Sequence, residues 1–152
     1  MNIVLLEPEI PYNTGNIGRS CVLTNTKLHL VEPLGFSLDA KQVKRAGLDY
    51  WKDVKVYTYK SIEELWAKYP ESRFYYATTK TKQNYSDVKY KKDDFIVFGK
   101  ESKGVPESIL EANKETCITI PMIPIGRSLN LSNAAAIMLY EALRQTDFDF
   151  GE

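Results

Sequence analysis

The sequence is poor in the residues on which much enzyme chemistry depends. Its 152 residues contain a single histidine, His29, and two cysteines, Cys21 and Cys117. Ser-His, Cys-His and histidine-metal schemes would all have to pass through that one imidazole. It lies in Lys27-Leu28-His29-Leu30-Val31, a strand pattern outside any cluster, so its expected role is structural. The cysteines are far apart and neither has a second Cys or His at metal-ligand spacing, which predicts reduced, packed thiols and no metal site. Net charge is missing too, with 20 Lys+Arg against 20 Asp+Glu. No apolar run approaches the roughly 20 residues of a membrane span. Met1-Asn2-Ile3-Val4-Leu5-Leu6 runs straight into Glu7-Pro8-Glu9, without the basic start and long apolar stretch of a signal peptide. The expected setting is the cytoplasm, with no membrane partner.

What is present fits one globular domain. At 43% hydrophobic and 26% charged residues, the composition is that of an ordinary folded chain large enough to bury a core without staples. We read one domain over 1–152, with the acidic end from about 147 as a flexible tail.

Short apolar runs alternate with helical patterns, which predicts an α/β fold with a mainly parallel six-stranded sheet flanked by helices. The strands are expected near Asn2–Leu6, Lys27–Val31, Val54–Tyr59, Arg73–Thr78, Asp94–Phe98 and Cys117–Ile120. Helices are expected near Thr14–Thr24, Ala40–Ala46, Ser61–Lys68, Pro106–Ala112 and Ser132–Gln145. Ser61-Ile62-Glu63-Glu64 matches a capping box, and Pro106 suits a first helical turn. Ala134-Ala135-Ala136-Ile137-Met138-Leu139 is apolar all round. Both faces of that helix need cover, either within a monomer or from a second subunit.

Three segments carry the chemistry. Pro11-Tyr12-Asn13-Thr14-Gly15-Asn16-Ile17-Gly18-Arg19 follows the first strand and opens a helix. Its glycines permit close backbone approach, but G-x-x-G is not the dinucleotide fingerprint. Arg19, expected one turn into the helix where the dipole disfavours a cation, is a candidate for an anion or ribose contact. Phe98-Gly99-Lys100-Glu101-Ser102-Lys103-Gly104-Val105-Pro106 begins like a P-loop. Val105-Pro106 stands where the Lys-Ser/Thr pair would hold phosphate and magnesium, which argues against a nucleotide triphosphatase. What remains is a loop at the carboxyl end of a parallel strand, the usual place for a ligand crevice. Ile120-Pro121-Met122-Ile123-Pro124-Ile125-Gly126-Arg127-Ser128-Leu129-Asn130-Leu131-Ser132-Asn133 takes an irregular path into the last helix, with apolar walls and a few polar groups suited to an adenosine-sized ligand.

Together, N-T-G-N-I-G-R, F-G-K-E-S-K-G-V-P and I-P-M followed by R-S-L-N-L-S-N-A resemble the three motifs of the SpoU (TrmH-like) branch of the SPOUT methyltransferases. The chain length, the Glu7-Pro8-Glu9-Ile10-Pro11 opening and Arg45-Ala46-Gly47-Leu48-Asp49-Tyr50 are most similar to the minimal YibK/TrmL group, which methylates the wobble ribose of tRNA. The resemblance implies a C-terminal deep trefoil knot, S-adenosyl-L-methionine as methyl donor with S-adenosyl-L-homocysteine as product, no metal, and a homodimer. It implies a cofactor pocket of Ala77, Gly99, Glu101, Gly104, Ile120, Met122, Ser128 and Leu129. It also implies Arg19, acting electrostatically on the ribose 2′-hydroxyl, with Asn13 and Asn130 shaping the catalytic site.

An RNA partner, here the tRNA anticodon stem-loop, needs cations despite the zero net charge. Between Lys80 and Lys103 seven lysines face four acids, with Tyr85 and Tyr90 interleaved as candidate surfaces for unstacked bases. Lys80, Lys82 and Arg127 are the candidate phosphate contacts, joined in a dimer by Lys41, Lys44 and Arg45, and Tyr140 is expected near the RNA. The alternatives are a ribose methyltransferase acting on rRNA or another tRNA position, and a noncatalytic dimeric RNA-binding module.

Overall fold

The computed structural model describes residues 1–39 and 49–151. Its strands are β1 (Asn2–Leu6), β2 (Lys27–Val31), β3 (Val56–Tyr59), β4 (Phe74–Ala77), β5 (Phe95–Phe98) and β6 (Cys117–Ile118). The described helices are α1 (Pro11–Thr24), α2 (Ile62–Lys68), α3 (Glu107–Ala112) and α4 (Leu131–Gln145), with a 3-10 turn over Asp49–Asp53. The helix expected at Ala40–Ala46 lies outside the described residues.

All six strands join one sheet in the order β3-β2-β1-β5-β4-β6, and every pairing is parallel. The near-continuous apolar strands follow from burial on both faces. Every residue of β1 and of β5 is buried. Alternation along β1 sends Ile3 and Leu5 to a core shared with Ile17 of α1 and with Met138 and Leu139 of α4. Val4 and Leu6 go to the opposite core, with Leu65 of α2 and Leu110 of α3.

The sequence turns outward in both directions from the β1–β5 pair: β2 and β3 on one side, β4 and β6 on the other. In an open parallel sheet this switch point opens a crevice beyond the carboxyl ends of the strands.

Local chemistry sets the helix ends. Ser61 Oγ accepts the Glu64 N–H at 3.2 Å, as a capping box requires. The reciprocal carboxylate bond goes to the Lys60 N–H, at 3.0 Å, rather than to that of Ser61. Pro106 is the N-cap of α3 rather than its first helical residue. Cys21 and Cys117 are free and buried, and burial pushes the Cys21 thiol up to about 12. His29 is wholly buried between the Tyr59 hydroxyl and the Asn2 side-chain oxygen, each 2.9 Å from a ring nitrogen. It is a structural strand residue.

α4 settles the question of its two faces in part. Ala135, Met138, Leu139, Ala142 and Leu143 are buried, while Ile137 and Tyr140 are exposed. Residues 147–151 lie near α1 and the 89–94 loop: the Asn25 amide donates to the Phe150 carbonyl, and Lys92 pairs with Asp149.

Candidate active site

A cavity of about 410 Å³ opens beyond β4 and β5, within the size range of small-ligand sites. Its walls come from residues 77–80 after β4, 98–105 after β5 and 119–131 between β6 and α4, with Ile10 and Asn13 at the start of α1. All eight residues implied for the cofactor pocket line it: Ala77, Gly99, Glu101, Gly104, Ile120, Met122, Ser128 and Leu129. Asn13, Asn130 and Lys80 line it as well. Arg19, Lys82, Arg127 and Tyr140 are outside this lining.

The loop after β5 folds back on itself. The Gly104 N–H donates to the Lys100 carbonyl at 2.8 Å, and Gly104 has φ +73°, the left-handed region. A Cβ on Gly99 would sit 1.8 Å from the Gly104 carbonyl carbon, so only glycine permits this closure.

A reciprocal carboxylate clasp ties this loop to the one after β1. Glu101 accepts the backbone N–H groups of Glu9 and Ile10 at 3.0 and 2.7 Å, and Glu9 accepts the Ser102 N–H at 2.9 Å. Hydrogen bonding from Ser102 holds the Glu9 carboxyl below its ordinary value. Sequence reasoning assigned no role to Glu9 or Ser102. Their partnership spans more than ninety residues and has no local pattern.

The third wall is anchored twice. Thr119 donates its N–H to the Gln83 carbonyl and accepts the Tyr85 N–H, at 2.9 and 2.8 Å. Asn130 caps α4 through Oδ1, which accepts from the Ser132 and Asn133 N–H groups, while its Nδ2 donates to Asn13 Oδ1. The cap fixes the Asn130 amide, and Asn13, itself buried, meets the cavity beside it.

Motif one differs from expectation in two respects. The helix starts at Pro11 rather than Thr14, so Arg19 sits more than two turns in, where the terminal dipole has faded. Gly18 serves packing within the protein. A Cβ on Gly18 would lie 2.7 Å from the Trp51 ring, and the Gly15 carbonyl accepts the Tyr50 hydroxyl. Arg19 is exposed, with its Cζ 4.7 Å from the centroid of the Tyr50 ring.

Among the proposed RNA contacts, Lys82, Arg127 and Tyr140 are exposed, and Lys80 is paired with Glu107 at 2.8 Å on the surface. Tyr90 must be withdrawn as a stacking surface. It is buried against Tyr75 and donates its hydroxyl to the Tyr85 carbonyl, because the residues preceding β5 contribute to the core as well as to the surface. Tyr85 is partly buried against the same core. Lys41, Lys44 and Arg45 lie outside the described residues. No cluster of His, Cys, Asp or Glu among the described residues could hold a metal ion. No helix among them is long and apolar enough to cross a membrane.

The three motif segments thus converge on one cavity at the switch point of a parallel sheet. Residues 1–140 match the SpoU rRNA Methylase family. The chain belongs to the SpoU methylase family. A relative from Listeria monocytogenes is 55% identical over 150 residues, 97% of this chain and 89% of its own length. One from Methylovorus glucosotrophus, named tRNA (cytidine(34)-2'-O)-methyltransferase, is 49% identical over 97% of this chain and 96% of its own. Among solved structures of this SpoU type, one described as "Structural insights into the 2-OH methylation of C/U34 on tRNA" superposes with a TM-score of 0.89 at 35% identity, covering 96% of this chain and 95% of that one. The SpoU methyltransferase AviRb from Streptomyces viridochromogenes, solved in complex with AdoMet, shares the fold at a TM-score of 0.82 and 21% identity, over 97% of this chain and 58% of its own.

Proposed function

We propose that the protein transfers a methyl group from S-adenosyl-L-methionine to the ribose 2′-hydroxyl of the wobble nucleotide, position 34, of tRNA. The observation that carries this reading is the convergence of the residue 77, 99–104 and 120–130 segments on one cavity, in a chain that is 49% identical, along nearly its full length, to a tRNA (cytidine(34)-2'-O)-methyltransferase. The cavity fits the donor in kind. Ala77, Ile120, Met122 and Leu129 offer apolar walls for an adenosine, and the looped backbone at Gly99 and Gly104 brings polar main-chain groups to the same space.

When bound, S-adenosyl-L-methionine supplies a methyl group already activated by its sulfonium, so the protein has chiefly to position and to stabilise charge. Asn13 and Asn130 present fixed amides at the cavity edge. Arg19 is assigned the developing alkoxide. A guanidinium presents a fixed fork of N–H donors and no acceptor, so the role assigned to Arg19 is electrostatic and orienting rather than that of a general base. Lys80, Lys82 and Arg127 are assigned to phosphates of the anticodon stem-loop, with Tyr140 nearby.

The same reading includes a single domain over 1–152, cytoplasmic and homodimeric, with residues 119–130 threaded as a trefoil knot. Support for threading comes from Thr119 held between Gln83 and Tyr85, with the chain then returning to Asn13. Support for the dimer comes from the exposure of Ile123, Ile125, Ile137 and Tyr140, apolar surface of the kind that interfaces cover.

Incubating the purified protein with methyl-labelled S-adenosyl-L-methionine and tRNA from a strain lacking this gene, followed by nuclease mapping, tests the assignment. Label on the 2′-oxygen of nucleotide 34 is expected, and no label despite cofactor binding would overturn it. The family description favours one second reading, methylation of rRNA, and label on rRNA alone would establish it.

A further inference from the structure

Arg19 is a long, exposed side chain with no carboxylate within 4 Å among the described residues. Such a group samples many rotamers, whereas an electrostatic catalyst needs a fixed place. The structure supplies one through the turn at Asp49–Asp53. The Tyr50 ring lies under the guanidinium, 4.7 Å from ring centroid to Cζ. The Tyr50 hydroxyl donates to the carbonyl of Gly15, four residues before Arg19 and on the same helix face. Trp51 closes against Gly18, where a side chain would collide with its ring. Ring, hydroxyl and neighbouring indole therefore seat one turn against one helix face.

We propose that Tyr50 is the positioning residue for Arg19, its ring setting the plane and reach of the guanidinium and its hydroxyl locking that ring to α1. The chemistry favours an aromatic platform over a carboxylate. A face-on ring holds the cation without neutralising its charge, and it leaves the N–H donors at the guanidinium edge available for a ribose oxygen or a phosphate. The role of Arg19 in this argument rests on the methyl-transfer reading above.

The test combines Y50F, Y50W and Y50L, each made with and without R19A. Single-turnover methylation of tRNA, calorimetric affinity for S-adenosyl-L-methionine and the NMR shift of the Arg19 Nε proton are read in parallel. Y50L is expected to slow methylation roughly tenfold, in line with the cost of misplacing a catalytic group, with cofactor affinity unchanged and no further loss on the R19A background. Y50F and Y50W, which keep a ring but lose the hydroxyl that ties it to α1, are expected to fall between the parent and Y50L. In the RNA-free protein the Arg19 Nε proton should show a ring-current shift that Y50L abolishes. The proposal is overturned if Y50L is as fast as the parent, if its loss is the same with Arg19 removed, or if Y50F falls as far as Y50L. Should Y50L fail to fold, the ring-current shift of the Arg19 Nε proton in the parent, present or absent, decides the role of the ring. If the parent protein labels no tRNA, the methyl-transfer reading has failed, and absence of the ring-current shift separately overturns the platform.

Discussion

Asn130 donates from Nδ2 to Oδ1 of Asn13 across 117 residues of sequence, at 3.1 Å, while its own Oδ1 caps α4. One side chain thereby fixes both a helix start and the orientation of a second amide at the cavity. N130D keeps a capping oxygen but loses the donor, so the Asn13 amide must reverse. We expect stability within about 0.5 kcal/mol of the parent and turnover lowered roughly tenfold or more. N130A also removes the cap and should cost about 1 kcal/mol. Thermal melts beside initial rates check both, and an N130D enzyme with parental turnover would refute the orienting role.

The two glycines of the β5 loop should respond differently to alanine. At Gly104 there is open space and the constraint is φ +73°, so G104A should cost about 1–2 kcal/mol in stability and still bind S-adenosyl-L-methionine. At Gly99 the added carbon meets backbone at 1.8 Å, so the loop must open and G99A should lose cofactor binding in a calorimetric titration. Equal binding by the two variants would contradict the packing described.

His29 predicts an acid-side loss of stability. Burial, aided by Lys27 and Lys68, lowers its pKa from 6.5 to about 4. The unfolded chain therefore takes up the proton first. The contribution is complete above about pH 6.5 and is lost as pH falls towards 4, reaching at most about 3 kcal/mol. Urea midpoints measured across that range should fall more steeply for the parent than for H29Q, and parallel curves would rule His29 out as the source.

The phosphate contacts proposed for Lys80, Lys82 and Arg127 predict salt-sensitive binding. Affinity for tRNA should weaken steeply from about 50 to 200 mM salt. K82A should reduce the slope of log affinity against log salt by about one, across RNA sequences alike. A flat salt response would exclude a phosphate-led interface.

Much of this architecture could be read from apolar runs. β1 and β2 have the boundaries that their sequences predict, because continuous apolar stretches leave little choice of end. β3 begins two residues late, since Val54 donates its N–H back to the Trp51 carbonyl and belongs to the turn. α1 starts three residues before the expected Thr14 because Pro11 suits a first helical turn. The eight pocket residues came from motif resemblance, and a cavity gathers all of them. What local patterns could not supply are relationships between distant segments: the Glu9–Ser102 and Glu101–Ile10 bonds, the Trp51–Gly18 contact and the burial of Tyr90. Counting charges and rings along a loop does not reveal which of them face inward.

The carboxylate clasp between the loops after β1 and β5 has a mechanical consequence. These strands are neighbours at the switch point, and three backbone N–H groups bound by two side chains weld their ends into a single rim. The cavity wall at residues 99–104 and the first turn of α1, the helix that carries Asn13 and Arg19, therefore share one set of hydrogen bonds. The wall proposed for the methyl donor and the helix proposed to carry the catalytic groups thus rest on one frame rather than two.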